Sequence, residues 1–361
     1  MTQPPYGRPV AQSWPPSPGW SQQPAWRPPH PYGPPQAPFG TAGGFPTPPQ
    51  WPPAPGQSSG RSATRRKAVL AVLGVIVVAV ASITLVARLR GPAYVNDDYQ
   101  APPPALKPPP LPKVTSAEQA RELVRNNALY AQPVPSPTRC SIQTIDLTTA
   151  SQQQLDRYLN ELMVCLMRVW EPPVTKAGYQ MPRPPVVVIS EPSKSACGKV
   201  SMKNAAYCGA DQRIYYATDL PTVLPPALRT GRFVVESVLA HELGHAVQAR
   251  TGLLVAGKGL GQQASDKATQ NQFSRRLETQ ADCFSGLFIA SVSTSAKISA
   301  AEQQQLLALA EAIGDDTLSG KAEIDSGHGL SKSRRYWTQM GLASTRVGAC
   351  NTWVADDHLV R

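Results

Sequence analysis

Residues 238–248 read V-L-A-H-E-L-G-H-A-V-Q, and the reading of this stretch decides the fold. His241 and His245 are four apart, so on a helix they return to nearly the same face and both imidazoles can point at one metal ion. Glu242, one residue past the first histidine, flanks that ion as a general base would. The surroundings suit a buried helix. Val238, Leu239 and Ala240 lead in, Ala246 and Val247 lead out, and no charge interrupts the run between Glu236 and Glu242. A bare pentapeptide match arises by chance in soluble proteins, and the uncharged neighbourhood is what favours the metal reading here.

Two imidazoles are not enough, since a catalytic zinc usually takes three protein ligands and leaves the fourth position to water. In one large class the third ligand is a histidine six residues past the second, after a glycine three past it. Those places hold Thr251 and Gln248, so that class is excluded. His30 lies far away in the N-terminal tail, which leaves His328 and His358 as histidines. Glu278 and Asp282 fit better: they stand four apart on the next predicted helix, so both carboxylates face the same way. Glu278 is the expected third ligand. Asp282 would accept the free ring N–H of a ligating imidazole and fix its tautomer. The plain alternative is a solvated acidic face, but Asp282 sits between Ala281 and Cys283-Phe284, where an unpaired carboxylate is costly.

Working outward, the metal helix is predicted to begin after Pro226, by about Gly231, and to end near Thr251-Gly252, with Gly252 as a left-handed closing residue. Gly257 to Gln270 reads as a loop or helical hairpin. Gln272 to Val292 and Ala301 to Ile313 read as helices. Upstream, Ser116 starts a helix over Glu118 to Val124, and Ser151 to Trp170 places Leu155, Leu159, Leu162, Met163 and Leu166 at helical spacing until Pro172 and Pro173 stop it. Val186 to Ile189 and Arg213 to Tyr216 are short strands expected to form a small sheet beside the metal helix.

Residues 1–60 are dense in Pro, Gly, Gln and Ser, with aromatics such as Trp14, Trp20, Tyr32 and Trp51 but almost no aliphatic residues. Such a segment cannot bury enough apolar surface to offset its ordering entropy. It is expected to be disordered, serving either a groove-bearing cytoplasmic partner or no partner at all. From Ala68 to Ala87 no residue is charged, a length that matches a hydrocarbon core. Residues 61–90 therefore read as one transmembrane helix with basic flanks. A buried helix would rarely lack every charge over that span, and a cleaved signal would not follow some sixty residues. Arg61, Arg65, Arg66 and Lys67 precede it, while Asp97 and Asp98 follow Arg88 and Arg90. That bias puts the N-terminus in the cytoplasm and the C-terminal domain outside, on the cell membrane. The prolines of residues 91–115 suggest an extended stalk, and residues 116–361 form the folded domain.

The net charge of +11 is unevenly placed: residues 1–90 hold eight Lys and Arg and no acid, leaving +3 for the remaining 271 residues. The basicity belongs to the tail and membrane flank, where it can meet anionic lipid. No basic patch argues for nucleic acid. Cys140, Cys165, Cys197, Cys208, Cys283 and Cys350 all fall on the extracytoplasmic side, where an even count favours disulfides. Cys197 and Cys208 bracket a short polar loop and are the first candidate pair; closing it would contribute about 3 kcal/mol through the unfolded state. The other pairings stay open.

The block His241 to Gln248, the stretch Leu277-Glu278-Thr279-Gln280-Ala281-Asp282-Cys283-Phe284, His328-Gly329 with Arg334, Arg335, Trp337 and Gly341, and Ala349-Cys350-Asn351-Thr352 together resemble the bacterial neutral zinc metallopeptidases. Ala196-Cys197-Gly198 to Tyr207-Cys208, with Asp211 and Ile214-Tyr215, looks like the same family. The likeness runs from about Pro184 to Trp353, so Ser116 to Arg183 stands as an addition. The resemblance implies a zincin-like α+β domain, mostly helical with a small sheet, and one zinc ion held by His241, His245 and Glu278.

Zinc lowers the pKa of a water it binds towards about 7, so Glu242 can act as base and return the proton to a leaving amine. His328, in the Gly327-His328-Gly329 turn, is the candidate oxyanion donor, with Tyr215 and Arg334 behind it; a surface loop histidine is the plain alternative. His358 reads as a tail residue. The expected function is a zinc endopeptidase acting on peptide or protein substrates in the cell envelope. Two other readings are a non-catalytic, zinc-stabilised module that binds envelope proteins and a scaffold acting through its Pro-rich tail. Glu242 weighs against the first, because a structural zinc normally has four protein ligands and needs no base.

Overall fold

A computed structural model describes residues 60–90, 93–141, 145–147 and 149–361; the expected disordered tail falls almost wholly outside them. Helix α1 (Gly60–Arg90) carries exposed side chains throughout 67–82, the part of it in which side chains are described. Among the described residues no helix is long and apolar enough to cross a membrane. The expected span, Ala68 to Ala87, lies only partly within the described side chains.

Helix α2 (Ala117–Arg125) starts at the predicted cap, where Ser116 Oγ accepts from Gln119 N at 3.0 Å. Helix α3 (Gln152–Lys176) opens with a capping box between Ser151 and Gln154 and buries Leu155, Leu159, Leu162, Met163 and Leu166. Contrary to expectation, Pro172 and Pro173 do not stop it. A proline lacks the N–H that would bond the carbonyl four residues back, and at Arg168 that carbonyl takes a replacement donor, Asn96 Nδ2, at 2.9 Å. The helix therefore continues and buries Pro173 and Val174.

Five short strands follow: β1 (Val186–Ile189), β2 (Ser193–Ser195), β3 (Gly198–Val200), β4 (Ala205–Cys208) and β5 (Arg213–Ala217). β1 pairs parallel with β5, and β4 pairs antiparallel on its other side, in the order β1-β5-β4. β2 and β3 form a separate ribbon. The sequence predicts β1 and β5 but not β4, whose Ala-Ala-Tyr-Cys has no β-branched residue. Its register, Tyr207 opposite Ile214, is set by the turn at 209–212 and by the disulfide from Cys208 to Cys197. The other bridges are Cys140–Cys165 and Cys283–Cys350.

Pro226 opens only a one-turn helix, α4 (Pro226–Arg229), and the metal helix α5 (Val234–Arg250) begins three residues later than predicted. The intervening turn places Phe233 in the left-handed region at φ 69° with its ring buried. Gly252 closes the helix at φ 80°, as its position predicts. Helix α6 (Leu253–Gln263) follows at once, because Leu253, Leu254, Ala256 and Leu260 form an apolar face against Ala120 and Val124 of α2 and Leu277. Helix α7 (Lys267–Ala296) is longer than predicted at both ends and is capped by Asp266, which accepts from Thr269 N at 2.8 Å. Helices α8 (Ala300–Ala312), α9 (Asp315–Ser319) and α10 (Ser331–Leu342) complete the set. One core joins α3, α5, α7, α10 and β5 through Leu159, Trp170, Leu243, Phe284, Trp337 and Tyr216.

The segment after α1 is not a free stalk: it docks at Val95, whose N donates to Pro137 O at 2.9 Å, and again from Ala105 onward. Ala105 N donates to Arg183 O at 2.8 Å, and Pro109 O accepts from Arg250 Nη1 at 2.8 Å and Gln212 Nε2 at 3.0 Å. Arg250 is buried at the end of α5 and needs acceptors; Gln180 O takes its Nε and Gln212 Oε1 shares Nη1 with the proline carbonyls, which have no ladder of their own. Leu111 and Val114 then pack against the α2–α6 cluster.

Candidate metal centre

Helix α5 presents His241 and His245 side by side, with ring centroids 4.8 Å apart and planes perpendicular. Helix α7 crosses it closely at Gly244, where a Cβ would meet Ala281 Cα at 3.2 Å. That approach brings Glu278 over the histidines: its Oε2 lies 3.3 Å from His241 Nε2 and 3.4 Å from His245 Nε2. A zinc ion bound at about 2.0–2.1 Å in tetrahedral geometry requires ligand atoms about 3.3–3.4 Å apart. The three side chains fit the ion, and they form the one group of its kind found among the described residues.

Both imidazoles are oriented from behind. His241 Nδ1 donates to Asp282 Oδ1 at 2.9 Å, and His245 Nδ1 donates to Gln248 Oε1 at 2.8 Å. Each bond turns Nε2 of its ring towards the centre. Asp282 is held in turn by Arg334, whose Nε and Nη2 donate to its two oxygens at 2.9 and 2.8 Å. Gln248 Nε2 donates to Leu277 O at 2.8 Å and Gln280 Oε1 at 3.0 Å, while Gln280 Nε2 reaches Tyr130 Oη at 2.9 Å and Cys350 O at 3.1 Å. Close packing of α10 on α7, with no room for a Cβ on Gly341 beside Cys283 O, puts Arg334 within reach of Asp282.

The electrostatics are those of a site that concentrates negative charge. Burial opposes ionisation of Asp282, but the Arg334 guanidinium outweighs it and holds the carboxyl below its ordinary range. Burial likewise opposes the charge on Glu278, yet the His245 and His241 rings hold it well below that range. His241 is raised to about 10 despite its burial, by hydrogen bonds to Asp282 and Glu278.

Glu242 is buried next to the ligands, and its Oε2 accepts from the backbone N–H of Tyr207 at 2.7 Å. The edge strand β4 is thereby fastened to the metal helix. A cavity of about 350 Å³ opens above the ligands.

His328 lines that cavity from the loop before α10. Asp315 organises the loop: its Oδ2 accepts from His328 N at 2.9 Å and Gly329 N at 3.3 Å, and its Oδ1 lies 3.3 Å from His328 Nδ1. The hydrogen bond to Asp315 raises the imidazole's pKa, and Asp315 itself is held at about 2, the bonds from His328 and Ser326 outweighing its burial.

Two residues expected behind His328 do not serve there. Tyr215 points to the far side of the sheet, where its hydroxyl donates to Asp211 at 2.8 Å, and its neighbour Tyr216 faces the cavity instead. Arg334 lines the cavity but is committed to Asp282. His358 is exposed near the chain's last residues. Sequence reasoning gave no role to Gln248, Gln280 or Asp315. Gln248 carried a signal, since a residue three past His245 shares its side of the helix.

The chain matches the family model described as "Putative neutral zinc metallopeptidase" over residues 125–353. The chain belongs to this family. The match begins within α2, so most of Ser116 to Arg183 belongs to the family domain and is not an addition to it. Among curated relatives, the "Uncharacterized protein YpfJ" of Escherichia coli K12 is 29% identical over 210 residues, 56% of this chain and 73% of that protein. The "Uncharacterized protein Rv2575" of Mycobacterium tuberculosis H37Rv is 31% identical over 207 residues, 52% of this chain and 67% of that protein. No solved structure matches the chain.

Proposed function

We propose that the protein is a zinc endopeptidase, with His241, His245 and Glu278 as metal ligands and Glu242 as general base. The observation that carries the reading is the group of three ligand atoms within 4.8 Å of one another, with Glu278 at zinc spacing from both imidazoles and a second carboxylate, Glu242, beside it. A structural site would close with four protein ligands, whereas three leave room for chemistry. When bound, zinc polarises the scissile carbonyl and lowers the pKa of a water towards about 7.

The chain's own groups do the rest. Asp282 and Gln248 keep the rings turned to the centre. The Tyr207 N–H holds Glu242 by Oε2, which leaves Oε1 to take a proton from the attacking water. Glu242 then gives that proton to the amine nitrogen as the C–N bond breaks, and the carboxylate is restored. His328, whose imidazole pKa is raised by its hydrogen bond to Asp315, donates to the developing oxyanion in its protonated form.

We assign the domain to the cell envelope, behind a single-pass anchor with a cytoplasmic N-terminus and a tail open to a groove-bearing partner. Three disulfides support an oxidising compartment. The apolar side chains described in α1 are exposed all round, Val69, Val75 and Ile76 among them at 51–68%, which suits a lipid environment. The test is Glu242→Gln in the full chain, which should retain zinc and lose at least about a hundredfold in peptide cleavage. Cleavage at the parent rate removes Glu242 as the base.

A further inference from the structure

The cavity over the metal ligands has two unlike halves. At one end stand the ionisable groups, His241, Glu242, His245, Glu278 and His328. Along α5 towards its N-terminus the walls become aliphatic: Val234 and Val238 from α5, Ile289 from α7, and Leu306, Leu309 and Ile313 in and just after α8. Seven residues of helix separate Val234 from His241, so this chamber reaches about 10 Å from the first ligand. Its serine hydroxyls are already engaged with backbone. Ser237 Oγ donates to Val234 O at 3.0 Å, and Ser285 Oγ donates to Ser237 O at 2.9 Å.

Protein interiors are close-packed, so an aliphatic space of this size within a domain calls for an occupant. An apolar cavity of about 150 Å³ already takes benzene, and the whole space here is about 350 Å³. Continuity with the metal end says what the occupant is. A side chain lying in the chamber belongs to a molecule whose reacting group lies over His241.

We infer that the chamber is the pocket for one substrate side chain, and that cleavage takes place beside a large apolar residue of the leucine or phenylalanine class. The inference rests on the peptidase reading for its chemistry but not for its binding. A charged or small polar side chain would lose its hydration against these aliphatic walls. Of the polar groups that also line the cavity, Arg334 is engaged by Asp282 and Ile313 O and Thr338 by Arg334 O, while the Tyr216 hydroxyl is unpartnered among the described residues. The chamber thus discriminates through burial of apolar surface, at roughly 10–200-fold per methylene for a well-formed pocket.

The test uses blocked pentapeptides Ala-Ala-X-Ala-Ala with X as Leu, Phe, Ser or Asp. Cleavage by the zinc-loaded full chain is measured, and binding to the full-chain Glu242→Gln variant is measured separately. Leu and Phe peptides should be both cut and bound at least about tenfold better than Ser and Asp peptides. Val238→Phe, which fills the chamber one helical turn before His241, should erase that preference, with zinc content measured alongside to show that the ligands are kept. Equal or absent binding across the peptides overturns the inference, as does an unchanged preference in a zinc-retaining Val238→Phe variant. Selective binding of Leu and Phe peptides by a protein whose parent cuts none of them would uphold the pocket and sink the peptidase reading.

Discussion

Replacing Gly244 by alanine should loosen the metal centre without altering any ligand. The added methyl carbon would stand 3.2 Å from Ala281 Cα, 3.3 Å from its Cβ and 3.4 Å from its carbonyl oxygen. Carbon atoms settle at about 3.5–4.0 Å, and two of these three neighbours are main chain that cannot swing aside. Helix α7 must therefore retreat by a few tenths of an ångström, and Glu278 and Asp282, which straddle Ala281, retreat with it. Ligand distances at a metal tolerate only about 0.2 Å. Disturbance of orienting groups costs about 10–100-fold in metal affinity, or about 1.4–2.8 kcal/mol. Overpacking itself costs about 1–3 kcal/mol of stability, partly offset by up to about 1 kcal/mol of helix propensity. Affinity should therefore suffer more than folding. Zinc competition against a chromophoric chelator reads the first, and a thermal melt of the zinc-free protein reads the second. Gly259→Ala in α6 is the control: nothing lies within 4 Å of its Cβ, so it should be neutral or stabilising by about 0.5–1 kcal/mol. If Gly244→Ala holds zinc within about twofold of the parent, the α5–α7 contact does not set the position of Glu278.

Arg334→Leu removes the partner of a buried carboxylate and should cost about 3–5 kcal/mol in denaturant unfolding; adding Asp282→Asn should recover part of that loss, and no recovery would refute the pairing argument. Asp315 raises the His328 pKa, so the pair adds stability below the ordinary imidazole value of about 6.5 and loses it as pH rises through the raised value. Asp315, held at about 2, stays charged throughout that window. Asp315→Asn should accordingly move the alkaline limb of kcat/KM to lower pH, and an unmoved limb excludes His328 as the protonated donor. Tyr216 Oη is buried without a hydrogen-bond partner among the described residues, so Tyr216→Phe should leave stability unchanged or raise it by up to about 1 kcal/mol. A measured loss would mean that the hydroxyl does have a partner.

Local pattern carries the ligand helices. The four-residue spacings of His241 with His245 and of Glu278 with Asp282 read directly as faces of α5 and α7, because helical periodicity is a property of neighbouring residues. What the pattern does not carry depends on distant pairings. Pro172 and Pro173 have every local mark of a helix end, and only Asn96, from a loop 72 residues before Arg168, supplies the missing donor. Tyr215 and Tyr216 are adjacent in a strand, so a one-residue phase decides which of them faces the cavity. That phase comes from pairing with β1 and β4, and β4 has no strand pattern of its own. The relay from His245 through Gln248 to Gln280 and Cys350 joins three separate segments, and the sequence gives no spacing rule for such a chain.

The docking of Pro109 on Arg250 has a mechanical consequence. An extended proline-rich chain has little slack, and this one ends its run on the last residue of the helix that carries both histidines, only five positions past His245. A tug from upstream is met first by the bonds of Val95, Asn96 and Ala105, and a pull that undoes them is delivered to that helix. A recombinant fragment trimmed to Ser116 would remove Pro109 O and Pro110 O from a buried guanidinium and the Asn96 amide from Arg168 O, so the boundary for a secreted or soluble version belongs upstream of Val95.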